Sequence, residues 1–283
     1  MKDAPNGAFF TLRTEIVRTF FLNTWLSGLR SRSFQAVFIL GILLIGIAFL
    51  AGFFSPRQPK TVTLDVGLFG LRFSLVLLCL FWVQELVSKE IERRTVFFTL
   101  SYPVPRSHYI LGRYFGILAL AAVALLIEGL LLWLAVLVAG GQYQQQFMVA
   151  LGLPYWVALA GIWVDVAVVT AFALWIATLS TVPILPLALG AAFAIGGKSL
   201  GPVHDYLAQG AEGDKTLVTT YLPALDAIQW VLPDLSRLDW RLWPMYAQTP
   251  NTGAMFWSVV MAVGYAALML FLAVRKFSRR EFS

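Results

Sequence analysis

Three charged side chains interrupt long apolar runs and are the first candidates for chemistry in this sequence. Arg72, Glu128 and Asp165 each lie among residues that are almost entirely hydrophobic. A charge in hydrocarbon costs on the order of 2.5–3.5 kcal/mol, so such residues usually face the interior of a helix bundle and pair. We therefore predict an ion pair between Arg72 and either Glu128 or Asp165. Such a pair would either fix the helices against each other or line a path for a substrate or for protons.

Residues suited to catalysis or metal binding are scarce. Cys79 is the only cysteine, and His108 and His204 are the only histidines, so a histidine-based metal site would need carboxylates to complete it. The sequence has no GxxxxGK[ST] loop, the motif that cradles the phosphates of ATP, and no recognisable pairing of a nucleophile with a base. We predict that the chain is not an enzyme by itself and that it binds neither a metal nor a cofactor.

The composition is that of a membrane protein. Of the 283 residues, 59% are hydrophobic and 13% are charged, and this charged share is about half that of a soluble domain. Several apolar runs reach the roughly 20 residues that cross a bilayer core as a helix. The predicted fold class is an all-α integral membrane protein. The basic residues form no stripe with interleaved aromatic residues, so we predict no nucleic-acid partner.

Six transmembrane helices are predicted within a single membrane domain, residues 1–283. The predicted spans are 34–54, 66–87, 114–139, 153–178, 182–200 and 254–274. An amphipathic helix at 9–30 precedes them and is expected to lie in the membrane interface. Pro183 and Pro186 interrupt the fifth span, which follows the fourth so closely that the two form a tight helical hairpin.

The lysines and arginines indicate how the chain is oriented. Fourteen of the 21 lie in the two terminal regions and in or beside residues 88–112. Loops on the cytoplasmic side carry the excess of these residues in multi-span proteins. We predict that both termini and residues 88–112 are cytoplasmic, and that residues 201–251 lie on the opposite side.

Residues 88–112 contain a charged cluster, a short amphipathic segment and two prolines. Proline lacks an amide donor and restricts the residue before it, so Pro103 and Pro105 end the segment Thr95–Tyr102 abruptly. A short helix held between two spans offers a rigid knob to a partner protein. The alternative is a solvated basic loop that follows the rule for cytoplasmic charge.

Residues 201–251 form the longest polar interval, with six acidic and three basic residues. Leucine, tryptophan and proline are interleaved in its second half, which predicts short amphipathic helices on the outer membrane face with tryptophans at headgroup depth. One interpretation is a platform for a substrate or an extracytoplasmic accessory protein; interfacial packing explains the composition equally well. The platform residues would be Trp230, Pro233, Asp234, Trp240 and Trp243.

The stretch Glu90–Gly116 resembles the cytoplasmic signature of ABC-2 type transporter permeases. That signature has an acidic residue, a basic or glycine residue before threonine, an apolar helix, a Ser-x-Pro-Val-x-Arg turn and a basic residue before the third span. The matching positions are Glu92, Arg94–Thr95, Phe97 to Leu100, Ser101–Pro103–Val104–Arg106 and Arg113. The entry helix and the six spans are similar as well. Val231–Arg241 resembles a short element of the branch involved in copper-enzyme maturation.

The resemblance implies a permease of the type V exporter kind in the inner membrane of a bacterium, in contact with lipid. Such a permease pairs with a second copy, as a homodimer, and docks two cytoplasmic ABC ATPase subunits, which bind ATP and magnesium. It implies ATPase-coupling roles for Glu92, Arg94, Thr95, Phe97, Phe98, Pro103 and Arg106. Arg94 stands where glycine is more frequent in the family.

Two other functions stay open on the residues alone. An ion-coupled secondary transporter would use Glu128 and Asp165 as carrier sites and would work without an ATPase. A membrane anchor would recruit an extracytoplasmic partner through residues 201–251. Secondary transporters are often built from internal repeats, and no repeat relating the first three spans to the last three is evident.

Overall fold

A computed structural model describes residues 25, 27–28, 31–92, 106–140, 148–210, 215–229 and 231–279 of the chain. Within these ranges every element of secondary structure is a helix and none is a β-strand, which confirms the predicted all-α class. The α-helices are α1 (Arg32–Phe53), α2 (Pro59–Val83), α3 (Arg106–Val138), α4 (Leu153–Leu179), α5 (Leu185–Ala208), α6 (Lys215–Gln229), α7 (Leu242–Tyr246) and α8 (Thr252–Arg279). Helix α2 continues through a π-helical turn, Gln84–Ser88, and one further α-helical turn, Lys89–Glu92; Leu235–Leu238 is a 3₁₀-helix.

The helices begin where the sequence supplies starting signals. Ser31 caps α1, because its side-chain Oγ accepts a hydrogen bond from the Phe34 amide at 3.0 Å. Pro59, Pro154 and Pro186 lie in the first turns of α2, α4 and α5. Proline is tolerated there because the first amides of a helix have no intrahelical partner. These three prolines therefore interrupt no hydrogen bond within the helices that they begin.

Within the part of the chain that the structure describes, five helices are long and apolar enough to cross a membrane: α1, α2 with its π-helical turn, α3, α4 and α8. Helix α5 covers most of the predicted fifth span, 182–200, but is not among the five. It has 24 residues, about 36 Å at 1.5 Å per residue, so its length would suffice. It is less apolar because Lys198, His204 and Asp205 lie in its second half.

Helices α2 and α4 form the centre of the bundle. In each of them 67% of the most apolar stretch is buried, compared with 28% in α1, 39% in α3 and 33% in α8. Leu71, Leu75 and Cys79 of α2 and Val169 of α4 are all buried. Charged side chains on α2 and α4 therefore have protein neighbours on most sides.

The polar connection between the second and third spans is shorter than the predicted 88–112. Helix α2 and its extension run to Glu92, and α3 already begins at Arg106. The predicted starts of these spans, 66 and 114, lie inside longer helices, which begin at Pro59 and Arg106. The third span begins earlier than predicted because Tyr109 and Arg113 are polar in the sequence but buried in the structure, which a hydropathy window cannot recognise.

The predicted amphipathic entry helix, 9–30, lies almost entirely outside the described residues. Trp25, Ser27 and Gly28 are described, and all three are helical. Gly28 is buried, and a Cβ on it would meet the Leu120 side chain of α3 and approach Trp82 Nε1 of α2 to 3.5 Å. This end of the predicted helix therefore packs on α2 and α3.

Residues 231–241, which we call the inserted segment, fold into the helix bundle. Leu235 and Leu238 of the 3₁₀-helix are buried. A Cβ on Gly197 of α5 would lie 2.8 Å from the Leu235 side chain, and one on Gly161 of α4 would lie 2.5 Å from the Leu238 carbonyl oxygen. Glycine, having no Cβ, permits this approach.

Trp240, one of the tryptophans of the predicted surface helices, packs against the protein interior. Its side chain is 9% exposed and lies over Gly161 of α4. The inserted segment is anchored by its own apolar residues, so this tryptophan packs inside the protein. Helix α6, in contrast, is largely exposed along its length, as the prediction of surface helices requires.

Gly161→Leu is expected to lower the free energy of unfolding by about 1–3 kcal/mol, because overpacking displaces the inserted segment. Gly46→Leu is the matched control, since a Cβ at Gly46 of α1 would meet no atom within 4 Å. Titration of the purified proteins with sodium dodecyl sulfate measures both. Equal stability of the two variants would contradict the close packing of α4 against the inserted segment.

Candidate functional site

Arg72 and Asp165 form an ion pair at the centre of the bundle. Arg72 Nε of α2 donates to Asp165 Oδ2 of α4, and Arg72 Nη2 donates to the Ala194 carbonyl oxygen of α5 at 3.3 Å. The side chains of Arg72 and Asp165 are 15% and 2% exposed. Of the two partners that the sequence allows for Arg72, the structure selects Asp165. The pair joins three helices.

Glu128 lies at a separate position. Its Oε2 accepts a hydrogen bond from Ser74 Oγ of α2 at 2.8 Å, and its carboxylate lies against Gly41 of α1, where a Cβ would overlap it. Glu128 is 1% exposed. The alternative pairing of Arg72 with Glu128 is therefore wrong. Glu128 instead connects α3 to α1 and α2.

A small charged cavity of about 110 Å³ lies beside the Arg72–Asp165 pair. Helices α2, α4 and α5 and the inserted segment surround it. Its polar lining consists of Arg72, Asp165, Lys198, Asp239 and Arg241. Asp165 Oδ1 is buried and has no hydrogen-bond partner among the described residues. Because an unpaired buried acceptor is costly, this oxygen favours a small donor such as water in the cavity.

Alternating charges continue from this cavity along the inserted segment. Lys198 Nζ of α5 lies 2.9 Å from Asp239 Oδ2, and Arg241 Nε lies 3.0 Å from the same oxygen. Arg241 Nη1 also pairs with Asp65 Oδ1 of α2 at 3.0 Å. The inserted segment is therefore tied by charge to α5 on one side and to α2 on the other.

Sequence reasoning did not bring Lys198, Asp239, Arg241 and Asp65 together. Asp65, Lys198 and the neighbouring residues Asp239 and Arg241 come from three separate parts of the chain, and they meet because the inserted segment packs against α2 and α5. One signal was available, since Lys198 directly follows Gly196 and Gly197 in a predicted span. A cation beside small residues inside a span indicates a neighbouring backbone that approaches closely and supplies a carboxylate.

A second cluster, the Glu90 cluster, joins three helices at the opposite end of the bundle. It comprises Glu90, Tyr109, Arg113 and Phe277. Arg113 Nη2 pairs with Glu90 Oε1 at 2.5 Å, and the Tyr109 hydroxyl donates to Glu90 Oε2 at 2.7 Å. The Tyr109 ring stacks on Phe277 of α8, with centroids 5.5 Å apart. The ends of α2 and α3 that flank residues 93–105 are therefore held together and held to α8.

A nearby contact ties α1 to the π-helical turn of α2. Ser33 Oγ donates to Glu85 Oε1 at 2.7 Å, and Lys89 Nζ lies 3.9 Å from the same oxygen. π-helical turns are rare and occur often at functional sites. No pattern in the sequence predicts this turn or this hydrogen bond.

Most of the predicted ATPase-coupling residues lie outside the described part of the chain. These are Arg94, Thr95, Phe97, Phe98 and Pro103. Glu92 is exposed at the end of the α2 extension, and Arg106 is the first residue of α3. Their coupling role stays a prediction.

The sequence contains one indication of the Glu90 cluster. Tyr109 and Arg113 stand four residues apart, so they share one face of a helix.

The predicted platform residues are mostly internal. Pro233 and Trp240 are buried, and Trp243 is partly buried. Asp234 caps the 3₁₀-helix, because its Oδ1 accepts hydrogen bonds from the amide and the hydroxyl of Ser236. Trp230 lies outside the described residues. Pro233, Asp234 and Trp240 thus stabilise the inserted segment. Little of their surface is exposed to a partner protein.

The described polar side chains of these clusters hold the helices together. Among them, no group of three or more His, Cys, Asp or Glu residues is placed to hold a metal ion. Cys79 is buried in the core of α2. The geometry provides a polar cavity beside the Arg72–Asp165 pair, and it joins the helix ends on either side of residues 93–105 through the Glu90–Arg113 pair.

Comparison with known families agrees with this arrangement. A family model described as ABC-2 family transporter protein matches residues 32–201. A search of curated proteins finds no match for the chain. The matched 170 of 283 residues run from α1 to most of α5, and they include Arg72, Asp165 and the stretch Glu90–Gly116. The described residues include five helices that are long and apolar enough to cross a membrane. The chain therefore belongs to the ABC-2 transporter family as a multi-pass membrane permease of an ABC transporter, the partner of an ABC ATPase.

Proposed function

We propose that the chain is the permease subunit of an ATP-driven exporter in the inner membrane of a bacterium. Two copies form a homodimer, and two copies of a separate cytoplasmic ATPase drive it and bind the ATP and magnesium. The chain itself binds no cofactor. Helix α5 crosses the membrane as a sixth span, which puts both termini in the cytoplasm. Membership of the ABC-2 family and the distribution of lysine and arginine support this arrangement.

The Glu90 cluster is the observation that carries the proposal. Residues 93–105, which contain most of the predicted coupling residues, connect the α2 extension to α3. The Glu90–Arg113 pair joins the two helices on either side of that connection, and Tyr109 on Phe277 adds α8. A push on residues 93–105 therefore moves α2, α3 and α8 as one unit.

The proposed movement starts when the ATPase dimer closes on ATP. Thr95–Tyr102 is then displaced sideways, and Pro103 and Pro105 make it move with the flanking helices. Helix α2 carries the displacement to the Arg72–Asp165 pair and the charged cavity, which lie about halfway along it. The two permease copies rock against each other and open a central path alternately to the two sides of the membrane.

The two alternative functions receive less support from the geometry. A secondary transporter would need Glu128 and Asp165 accessible to a coupling ion, whereas Asp165 is paired with Arg72 and Glu128 is packed against Gly41. A membrane anchor would need an exposed platform, whereas Pro233 and Trp240 are buried. Neither alternative uses the stretch Glu90–Gly116.

Purification of the solubilised protein from its native membrane, followed by mass spectrometry of what accompanies it, tests the proposal. We expect a cytoplasmic P-loop ATPase to be recovered with the chain. If no ATPase is recovered under gentle detergents, the driven-permease proposal is contradicted. In that case Glu128 and Asp165 become the residues to test, with transport by the isolated chain under a proton or sodium gradient.

Phe98→Ala is expected to weaken retention of the ATPase at least about tenfold, because a buried aromatic anchor carries much of the energy of an interface. Phe54→Ala is the matched control, since Phe54 is 80% exposed at the opposite end of the bundle. Titration of the ATPase onto permease held in nanodiscs measures the affinity. Unchanged affinity in Phe98→Ala would remove the anchor role from this residue.

A further inference from the structure

A groove of about 510 Å³ lies between the ends of α4 and α8. It falls within the range of small-molecule sites, about 300–1,000 Å³. One wall is apolar, and the other is basic. The lining consists of Trp175, Thr178 and Leu179 of α4 and of Leu272, Arg275, Lys276 and Arg279 of α8. We call it the basic groove.

The three cations of the basic groove differ from the four cations that form ion pairs between helices and with the inserted segment. Arg72, Arg113, Lys198 and Arg241 each have a carboxylate within ion-pair distance. Within the described part of the chain, Arg275, Lys276 and Arg279 have none, and all three are exposed. Their charge is therefore available to an anion from outside the bundle.

The spacing of these residues directs them to one place. Leu272, Lys276 and Arg279 stand four and three residues apart, so they share one face of α8, and Arg275 is adjacent to it. This face turns toward α4, because the groove also contains Trp175 and Leu179. A positive rim and an apolar floor are thus combined in one concave surface.

The position of the basic groove along α4 and α8 indicates which layer of the membrane it faces. It lies where α4 ends at Leu179 and where α8 passes from Leu272 to its basic last turn. At such a level a membrane-spanning helix leaves the hydrocarbon and enters the headgroup region, where tryptophan and basic residues are both favoured. In the proposed orientation this is the cytoplasmic leaflet.

We propose that the basic groove binds one anionic phospholipid of this leaflet. Arg275 and Arg279 bind the phosphodiester, since guanidinium groups match phosphate oxygens in charge and geometry. An acyl chain lies along Trp175, Leu179 and Leu272. Basic pockets between membrane helices on the cytoplasmic side are suited to such headgroups. The lipid holds the ends of α4 and α8 together, next to Phe277 of the Glu90 cluster.

Native mass spectrometry of the purified permease with added phosphatidylglycerol or phosphatidylcholine tests this site. We expect one phosphatidylglycerol per chain to be retained and phosphatidylcholine to be lost. Arg275→Gln combined with Arg279→Gln should weaken phosphatidylglycerol binding roughly 10- to 30-fold, from the loss of two cations near the membrane surface. Leu272→Trp, which fills the groove and keeps its charge, should weaken it too.

Arg57→Gln combined with Lys60→Gln is the matched control, because it removes two cations at the opposite end of the bundle. We expect this control to bind phosphatidylglycerol like the wild type. Equal weakening in both double variants would show an effect of net charge alone and overturn the site. Equal retention of phosphatidylcholine would do the same.

Two further outcomes would also overturn the proposal. Binding of glycerol 3-phosphate as tight as that of the lipid would show a site for soluble phosphate esters. Loss of ATPase binding with unchanged lipid binding in the Arg275 and Arg279 variant would assign these cations to the ATPase. Lipid binding is measured on the permease alone, so its failure leaves the proposed ATPase partnership standing.

Discussion

Arg72→Leu is expected to lower the free energy of unfolding by about 3–5 kcal/mol, because it leaves the Asp165 carboxylate buried without a cation. Asp165 is 2% exposed at the centre of the bundle, and its second oxygen already lacks a partner among the described residues. Arg72 also donates to Ala194 of α5, so that contact is lost as well. Titration with sodium dodecyl sulfate, followed by circular dichroism, measures the loss.

The double variant Arg72→Leu with Asp165→Leu distinguishes the interaction between the two charges from the cost of burying one charge alone. Replacing both members of a buried ion pair by apolar residues is often neutral or stabilising, so the double variant should be more stable than Arg72→Leu. Arg57→Leu, at an exposed arginine, should change stability little. A double variant no more stable than Arg72→Leu would show that the two side chains do not interact.

Glu90→Ala is expected to lower the free energy of unfolding by about 3 kcal/mol, near the upper end for hydrogen bonds to charged groups. It removes one acceptor from both Tyr109 and Arg113, and the buried Arg113 guanidinium loses its ion pair with the Glu90 carboxylate. It should also weaken ATPase binding, because the two helix ends beside residues 93–105 are no longer tied. The same detergent titration and the nanodisc binding assay give the two measurements.

Glu92→Ala separates the structural effect from the docking effect. Glu92 is an exposed acid two residues further along the chain, and its predicted contact is with the ATPase. We expect Glu92→Ala to weaken ATPase binding without a loss of stability. If Glu90→Ala were as stable as Glu92→Ala, the Glu90 cluster would not hold α2 and α3 together.

The helices of the bundle were largely predictable from the sequence. Predicted spans at 34–54, 153–178 and 254–274 lie close to α1, α4 and α8. A hydropathy window recognises such segments because their exposed faces are also apolar. It placed the start of α3 too late, since Tyr109 and Arg113 are polar in the sequence but buried in the structure, where both contact Glu90.

The candidate site was predictable only in its parts. Arg72, Glu128 and Asp165 were identifiable because charges within apolar runs are rare and need partners. Which carboxylate Arg72 meets depends on how α2, α3 and α4 are rotated about their axes. Helical periodicity places residues on a common face, but it does not say which neighbouring helix that face contacts.

The sequence by itself determined the membrane class, most of the helices, the family resemblance and the charges that needed a partner, because composition and local spacing suffice for these. The tertiary structure decided that Arg72 pairs with Asp165, that Glu128 lies against Gly41, and that the inserted segment meets α2 and α5 inside the bundle. Three of these contacts, Glu128 with Gly41, Arg72 with Asp165 and Arg241 with Asp65, join residues that are 87 to 176 positions apart in the chain. They depend on the glycines that let backbones approach, and their partners are set by packing, which no local pattern in the sequence contains.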